Sequence, residues 1–202
     1  MALPSYATLS VSPIPSLSDE VNQIRMDTAR IVGEHIIPGE ATLGTPLDNP
    51  ERQSLVHELQ TYVKESNLWA PHLPVEYGGM GIGFLGHAYM NEILAWSPYS
   101  NGIFGVQAPT SGNQSVLIKY GTDYQKKTFL DPTIRGEQSS CFSMTEPDNA
   151  GSDPRSLQTT AVKDGDEWVI NGRKWFTSNG VRASWALVMC RTEEADGDGG
   201  VN

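Results

Sequence analysis

The sequence is poor in cysteine and in positive charge. Its cysteines are Cys141 and Cys190, with no CxxC pair and no histidine at metal-ligand spacing from either, so neither a disulfide framework nor a zinc site is expected. Lys and Arg number 14 against 24 Asp and Glu, a formal net charge of -10. That balance argues against nucleic acid or an anionic membrane as the main partner. A polyanionic ligand such as a nucleotide has to be held locally, by backbone N–H groups, hydroxyls and a few placed cations. No apolar run has the length of a membrane span, and none near the start has the flanks of a signal peptide. The first cationic side chain is Arg25, so an Arg-rich presequence is missing too, and a cytoplasmic protein is expected. There is no internal repeat.

What is present reads as two regions of different character. A chain of 202 residues can bury a real core in one large domain or two small ones. Residues 1–17 open with the Ser-, Pro- and Ala-rich stretch Met1 to Pro15, which predicts a loosely ordered arm. Residues 18–137 carry helical periodicity. Ser18 precedes Asp19 and Glu20 as an N-cap with acids in the first turn, and Val21, Ile24, Ile31 and Ile36 recur at helical spacing until Pro38. A second helix is expected from about Glu51, with Val56, Leu59 and Val63 on one face. The segment from Ala70 to Gly79 is too rich in Gly and Pro for either regular element and predicts an ordered loop. Helical segments follow around Phe84 to Ala95 and Asn113 to Tyr120. Thr122 with Gln125 is a capping box that opens a helix closing before Pro132 and Gly136.

Residues 138–202 turn to strands: Ser139 to Met144, Leu157 to Lys163, Trp168 to Ile170, Arg173 to Phe176 and Trp185 to Arg191. Asn171-Gly172 between β-formers predicts a two-residue hairpin, and Asp164-Gly165-Asp166 another just before it. The acidic, glycine-rich stretch Glu193 to Gly200 reads as a long surface turn. The expected fold is α+β: an all-α N-terminal domain followed by a partial antiparallel β-domain with an exposed edge.

Chemistry concentrates in two segments. The first runs from Cys141 to Asp153 and contains Thr145-Glu146-Pro147 and Ala150-Gly151-Ser152-Asp153. There a strand delivers Thr145 to a turn where Pro147 stops pairing, and Gly151 lets backbone approach a ligand closely beside the Ser152 hydroxyl. The second, Ile170 to Gly180, returns an aromatic and two hydroxyls, which suits a flat heteroaromatic ring with hydrogen-bonding edges.

These segments resemble the acyl-CoA dehydrogenase family, with Trp69 to Gly79 like the loop of its helical domain and Tyr120 to Lys127 with Arg135-Gly136-Glu137 like its run into the β-domain. Thr145-Glu146-Pro147 with Ala150 to Asp153, and Ile170-Asn171-Gly172-Arg173-Lys174, resemble its two flavin-binding signatures. The resemblance implies FAD as cofactor, with Phe142, Met144 and Thr145 bordering the pyrimidine side of the isoalloxazine. It places Gly151 and Ser152 at the pyrophosphate and Ser152 also at the mouth of the acyl-CoA site. It lays Phe176 against the ring, with Thr177 and Ser178 hydrogen-bonding the edge near N5. Trp is common in the family where Phe176 stands and Thr where Ser178 stands. The loop Asp148-Asn149-Ala150 is one residue longer than the usual pattern, as in a branch that includes enzymes for longer acyl chains.

The implied partners are an acyl-CoA substrate and, as electron acceptor, an electron-transfer flavoprotein; the family resemblance also implies a homo-oligomer and a place in fatty acid β-oxidation. The family's α-proton base is a glutamate of a C-terminal helical domain, beyond these residues, so no catalytic residue is expected here and the chain alone is expected to be inactive. The alternative is a non-catalytic flavin-binding or assembly subunit that works beside a partner. Glu146 and Asp153 are expected to cap backbone amides rather than act as acid and base. His35, His57, His72 and His87 are expected to be structural, Cys141 and Cys190 buried and inert, and Trp168, Trp175 and Trp185 to pack the sheet. Helical-domain aromatics such as Phe84 and Tyr89 are expected in the core, with the lining of an acyl tunnel as the alternative.

Overall fold

The computed structural model describes residues 9–151 and 153–192. It divides into two compact units, Met1–Gln107 and Ala108–Asn202. The change of unit therefore precedes the change from helix to strand, because the helices from Thr110 onward pack with the strands.

In the first unit, α1 (Asp19–Ile31) starts where Ser18, in extended conformation, accepts the Val21 N–H. The expected stop at Pro38 does not occur. The path widens into a π turn over Val32–Ile36, passes through a 3-10 turn over Ile37–Gly39, and continues as α2 (Glu40–Leu43). A proline inside an α-helix lacks the N–H and clashes with the carbonyl four residues back. Here that carbonyl belongs to Glu34, inside the wide turn, where the Ile37 N–H reaches back to Val32 instead. Helix α3 (Pro50–Glu65) is capped by Asn49, which accepts the Glu51 and Arg52 amides, and it buries Leu59 and Val63.

The loop from Ala70 to Gly79 is ordered as expected: the Ala70 N–H donates to the Phe104 carbonyl at 2.9 Å and Gly81 closes back on Leu73 at 3.0 Å. Helix α4 (Gly83–Leu94) packs on α1 and buries Met90, Ile93 and Leu94. Phe84, expected in the core, is 89% exposed, because it sits in the first turn of α4 before the buried stripe begins. Tyr89 is half-buried, under the Arg25 guanidinium. A short helix α5 (Ser100–Ile103) completes the unit.

The segment before α1 also departs from the expected loose arm in its described part. The buried Asn22 accepts the Ile14 N–H at 2.8 Å and returns a bond to the Ile14 carbonyl at 3.0 Å, while Arg25 holds the Ser12 carbonyl at 3.0 Å.

The second unit opens with α6 (Thr110–Tyr120). The capping box at Thr122 is formed in both directions and starts α7 (Asp123–Gln125). Pro132 does not end this helical path, which crosses a second π turn over Lys126–Leu130 into α8 (Asp131–Ile134). As at Pro38, the carbonyl four residues back, that of Thr128, lies inside the wide turn.

The strands are β1 (Ser140–Ser143), β2 (Thr160–Asp164), β3 (Glu167–Asn171), β4 (Trp185–Val188) and β5 (Arg191–Thr192). The expected antiparallel pairing holds for β2 with β3, turned at Gly165, which has φ +60. The other pairs, β1 with β4 and β2 with β5, are parallel, so the β region is mixed. The hairpin expected at Asn171-Gly172 is absent. Asn171 does not adopt the positive φ that a type I′ turn needs, and the chain leaves β3 to run beside Met144 and Thr145.

Cys141 and Cys190 are buried and free. Trp185 packs as expected, its ring 5.7 Å from that of Phe129 and its N–H on Thr133 at 3.1 Å. Trp168 and Trp175 do not: they are 50% and 45% exposed, the first on an edge strand and the second on the irregular stretch after it. The segment Glu193 to Gly200 lies outside the described residues, and no described helix is long and apolar enough to cross a membrane.

Candidate functional site

The site lies in the second unit, where the end of β1 meets the stretch that follows β3. Three contacts fasten them. The Trp175 N–H donates to the Thr145 carbonyl at 3.0 Å, Lys174 Nζ donates to the Met144 carbonyl at 2.8 Å, and the Ser143 and Thr177 hydroxyls are 3.0 Å apart. Gly151 brings the next loop against the same spot, since a Cβ there would lie 3.1 Å from the Thr145 methyl. Gly172 is tighter still: a Cβ would come within 2.7 Å of Thr159 Cα, so only glycine fits where the chain crosses.

Behind this surface β1 is clamped by two amides. Asn113, buried on α6, donates to Ser140 Oγ at 2.9 Å and the Cys141 carbonyl at 3.0 Å, and Asn179 donates to the Ser140 carbonyl at 2.9 Å. Among the described residues the most elaborate polar cluster surrounds Glu146, which is 4% exposed. One carboxylate oxygen accepts the Thr159 amide at 2.8 Å and Lys174 Nζ at 2.9 Å. The other accepts the Gln158 amide at 2.7 Å and the Asn149 side-chain amide. Burial alone pushes this carboxyl up, but the Thr159 hydroxyl nearby, the Lys174 ammonium and the two backbone amides together bring it down to about 2.

Two residues after Lys174 comes Phe176, 79% exposed and at φ +51. A left-handed conformation costs a side-chain-bearing residue roughly 1–2 kcal/mol. Its ring is 4.7 Å from that of Trp175, so two aromatics stand together facing outward. An aromatic face held out by strained backbone, next to hydroxyls on a rigid strand end, suits a flat ring with polar edges.

The structure thus brings together Met144, Thr145, Gly151 and Thr177, with Phe176 one residue before Thr177. Ser178 is exposed beside them. Phe142 pairs with Leu187 across β1 and β4, and strand alternation puts its side chain on the face opposite Ser143. Ser152 lies outside the described residues. The capping roles expected for the two carboxylates are seen: Glu146 holds backbone amides, and Asp153 accepts the Arg155 N–H at 3.1 Å and pairs with its side chain. Lys174, Ser143, Asn179 and Asn113 were not singled out from sequence. Lys174 and Asn179 stand inside the segment Ile170 to Gly180 and Ser143 inside Cys141 to Asp153, whereas Asn113 gives no signal, being an ordinary polar residue in a helix until its burial is known.

Comparison with known proteins gives two adjoining matches. The family described as "Acyl-CoA dehydrogenase, N-terminal domain" matches residues 18–137, and "Acyl-CoA dehydrogenase, middle domain" matches residues 141–202. The chain belongs to the acyl-CoA dehydrogenase family. Among acyl-CoA dehydrogenase relatives, mouse Acyl-CoA dehydrogenase family member 10 is 33% identical over 84% of this chain and 17% of its own length. Isovaleryl-CoA dehydrogenase, mitochondrial, of Pongo abelii is 30% identical over 90% of this chain and 42% of its own. The crystal structure of glutaryl-CoA dehydrogenase from Mycobacterium smegmatis is 31% identical, covering 89% of this chain and 44% of that one, with a TM-score of 0.67. The chain thus spans less than half the length of each of these family members.

Proposed function

We propose that these residues form the flavin-facing wall of an FAD-dependent acyl-CoA dehydrogenase, with the family's helical domain corresponding to residues 18–137 and its middle domain to 138–202. The observation that carries this reading is Phe176, held outward at φ +51 between Trp175, which bonds the Thr145 carbonyl, and Thr177, whose hydroxyl meets that of Ser143. The residues fit the group. Phe176 and Trp175 offer an aromatic face, Thr145, Thr177 and Ser178 offer hydroxyls to a ring edge, and Gly151 leaves backbone accessible for phosphate oxygens. Met144 and Phe142 border the same strand end. When bound, FAD accepts the hydride that leaves the β-carbon of an acyl-CoA as its α-proton is removed.

The chain's own residues orient, bond and exclude water. Phe176 covers one side of the site. The hydroxyls fix the ring edge, Thr145 being held in place by Gly151 and by its carbonyl bond to Trp175. Ser152, next to Gly151, serves the pyrophosphate and the entrance for the acyl-CoA. Glu146 is ionised at neutral pH, but its oxygens are occupied by four donors, so it takes no proton from a substrate. The base on this reading is the glutamate of the family's C-terminal helical domain, and the acceptor an electron-transfer flavoprotein.

Thr145→Ala in the full-length protein tests the assignment. It removes one hydroxyl and leaves the neighbouring amides, so FAD binding should weaken by about the 0.5–1.5 kcal/mol of one hydrogen bond. Flavin retention equal to wild type through gel filtration sinks the placement of Thr145 on the ring edge.

A further inference from the structure

Lys174 and Glu146 form the most buried ion pair among the described residues, with side chains 11% and 4% exposed. The other ion pairs are solvated, such as Arg155 with Asp153 at 83% and 43%. Burying two charges is costly, and replacing such a pair with apolar residues often leaves stability unchanged or improved. Its presence in an otherwise ordinary turn calls for something that apolar packing does not supply.

The geometry supplies it. Lys174 divides its donors between the Met144 carbonyl at 2.8 Å and Glu146 at 2.9 Å, so one ammonium grips the strand end on both sides of Thr145. Glu146 spreads the grip to Gln158, Thr159 and Asn149. Thr145 thus stands between two residues held by Lys174, and Phe176 stands two residues beyond it. The backbone bond from Trp175 to Thr145, at 3.0 Å, closes the same ladder. An apolar pair would fill this space but would fix neither the distance between the two segments nor their register, because hydrophobic contact has no direction.

We infer that the Lys174–Glu146 pair is a positioning device that sets the aromatic Phe176 and the hydroxyl of Thr145 at the spacing a bound flavin ring requires. This rests on the flavin reading above. Neither residue touches the ring; both act through the segments they join. The pair spans two stretches 28 residues apart in sequence, and its bond to Met144 spans 30. Losing it leaves the Trp175–Thr145 and Ser143–Thr177 bonds to hold the two walls, and the spacing between them loosens.

The test uses full-length protein as wild type, Lys174→Met, Lys174→Gln and Lys174→Arg. FAD affinity is measured by titration of the stripped protein, and the quenching of bound-flavin fluorescence reports how closely the aromatic lies against the ring. Lys174→Met should lose about tenfold or more in affinity and show less quenching, with far-UV circular dichroism unchanged. Lys174→Gln keeps a neutral donor and should show the same loss, which decides the matter should Lys174→Met fail to fold. Lys174→Arg restores the cation and should recover most of the affinity. Wild type that takes up no FAD defeats the flavin reading itself. Wild type that binds FAD, with a folded neutral variant matching it in affinity and quenching, overturns the positioning role alone.

Discussion

Glu146 has the look of an acid or base, but its two oxygens accept from Thr159, Lys174, Gln158 and Asn149. A carboxylate between Thr145 and Pro147, in a segment that resembles a flavin-binding signature, invites a catalytic role, yet it is surrounded by donors and held at about 2. Because that folded value lies below the ordinary 4.5, the stability it contributes is fully present above about pH 4.5. It is lost as pH falls through about 2. Glu146→Gln should therefore cost about 3–5 kcal/mol at neutral pH by stranding the Lys174 charge. The gap in melting temperature between wild type and variant should narrow steadily from pH 4.5 downward. A gap that stays constant down to pH 2.5 would show that the carboxylate is not specifically held. The capping role was legible, since acids beside proline in turns commonly bond backbone amides. The partner Lys174 was not, because its distance in sequence hides that it reaches back across the site.

At the scale of elements, the starts were easier to read than the stops. Ser18, Asn49 and Thr122 each cap a helix through a local side-chain bond, which a sequence displays directly. Pro38 and Pro132 were read as terminators and are not, because π turns placed just before them absorb the clash. Nothing in five residues of composition announces that. Asn171-Gly172 does not form a hairpin: the chain after β3 runs on to bond the Thr145 carbonyl through Trp175, and Gly172 is needed for its closeness to Thr159 rather than for a turn. The described residues ahead of α1 are tied down for a similar reason, through the buried Asn22 and Arg25. Asn22→Ala removes a two-way bond to Ile14 and should cost about 1–3 kcal/mol. Limited proteolysis between Leu9 and Leu17 should then accelerate well before α1 is cut; cleavage at the wild-type rate would mean that Asn22 does not anchor the segment.

Across the whole molecule, the two compact units and the two family matches divide the chain at different places, residue 107 and residue 137. The sequence signals residue composition, which changes where strands begin. Packing groups α6 and α8 with the strands, because Asn113 and Thr133 spend their polar groups on β1 and on Trp185. The two segments that meet at the candidate site were nevertheless legible as candidates, because each is a local run of sequence, whereas the contacts that join them span about thirty residues. On the function proposed above, Thr145, Gly151 and Phe176 to Ser178 present a flavin to an acyl-CoA. The most direct measurement is the visible spectrum of the purified full-length protein before and after anaerobic addition of acyl-CoAs of short to long chain. A yellow protein whose flavin bands bleach with at least one acyl-CoA, and which loses colour in Phe176→Ala, is the predicted result. A colourless wild type that takes up no FAD, or a flavin that no acyl-CoA reduces, would contradict it.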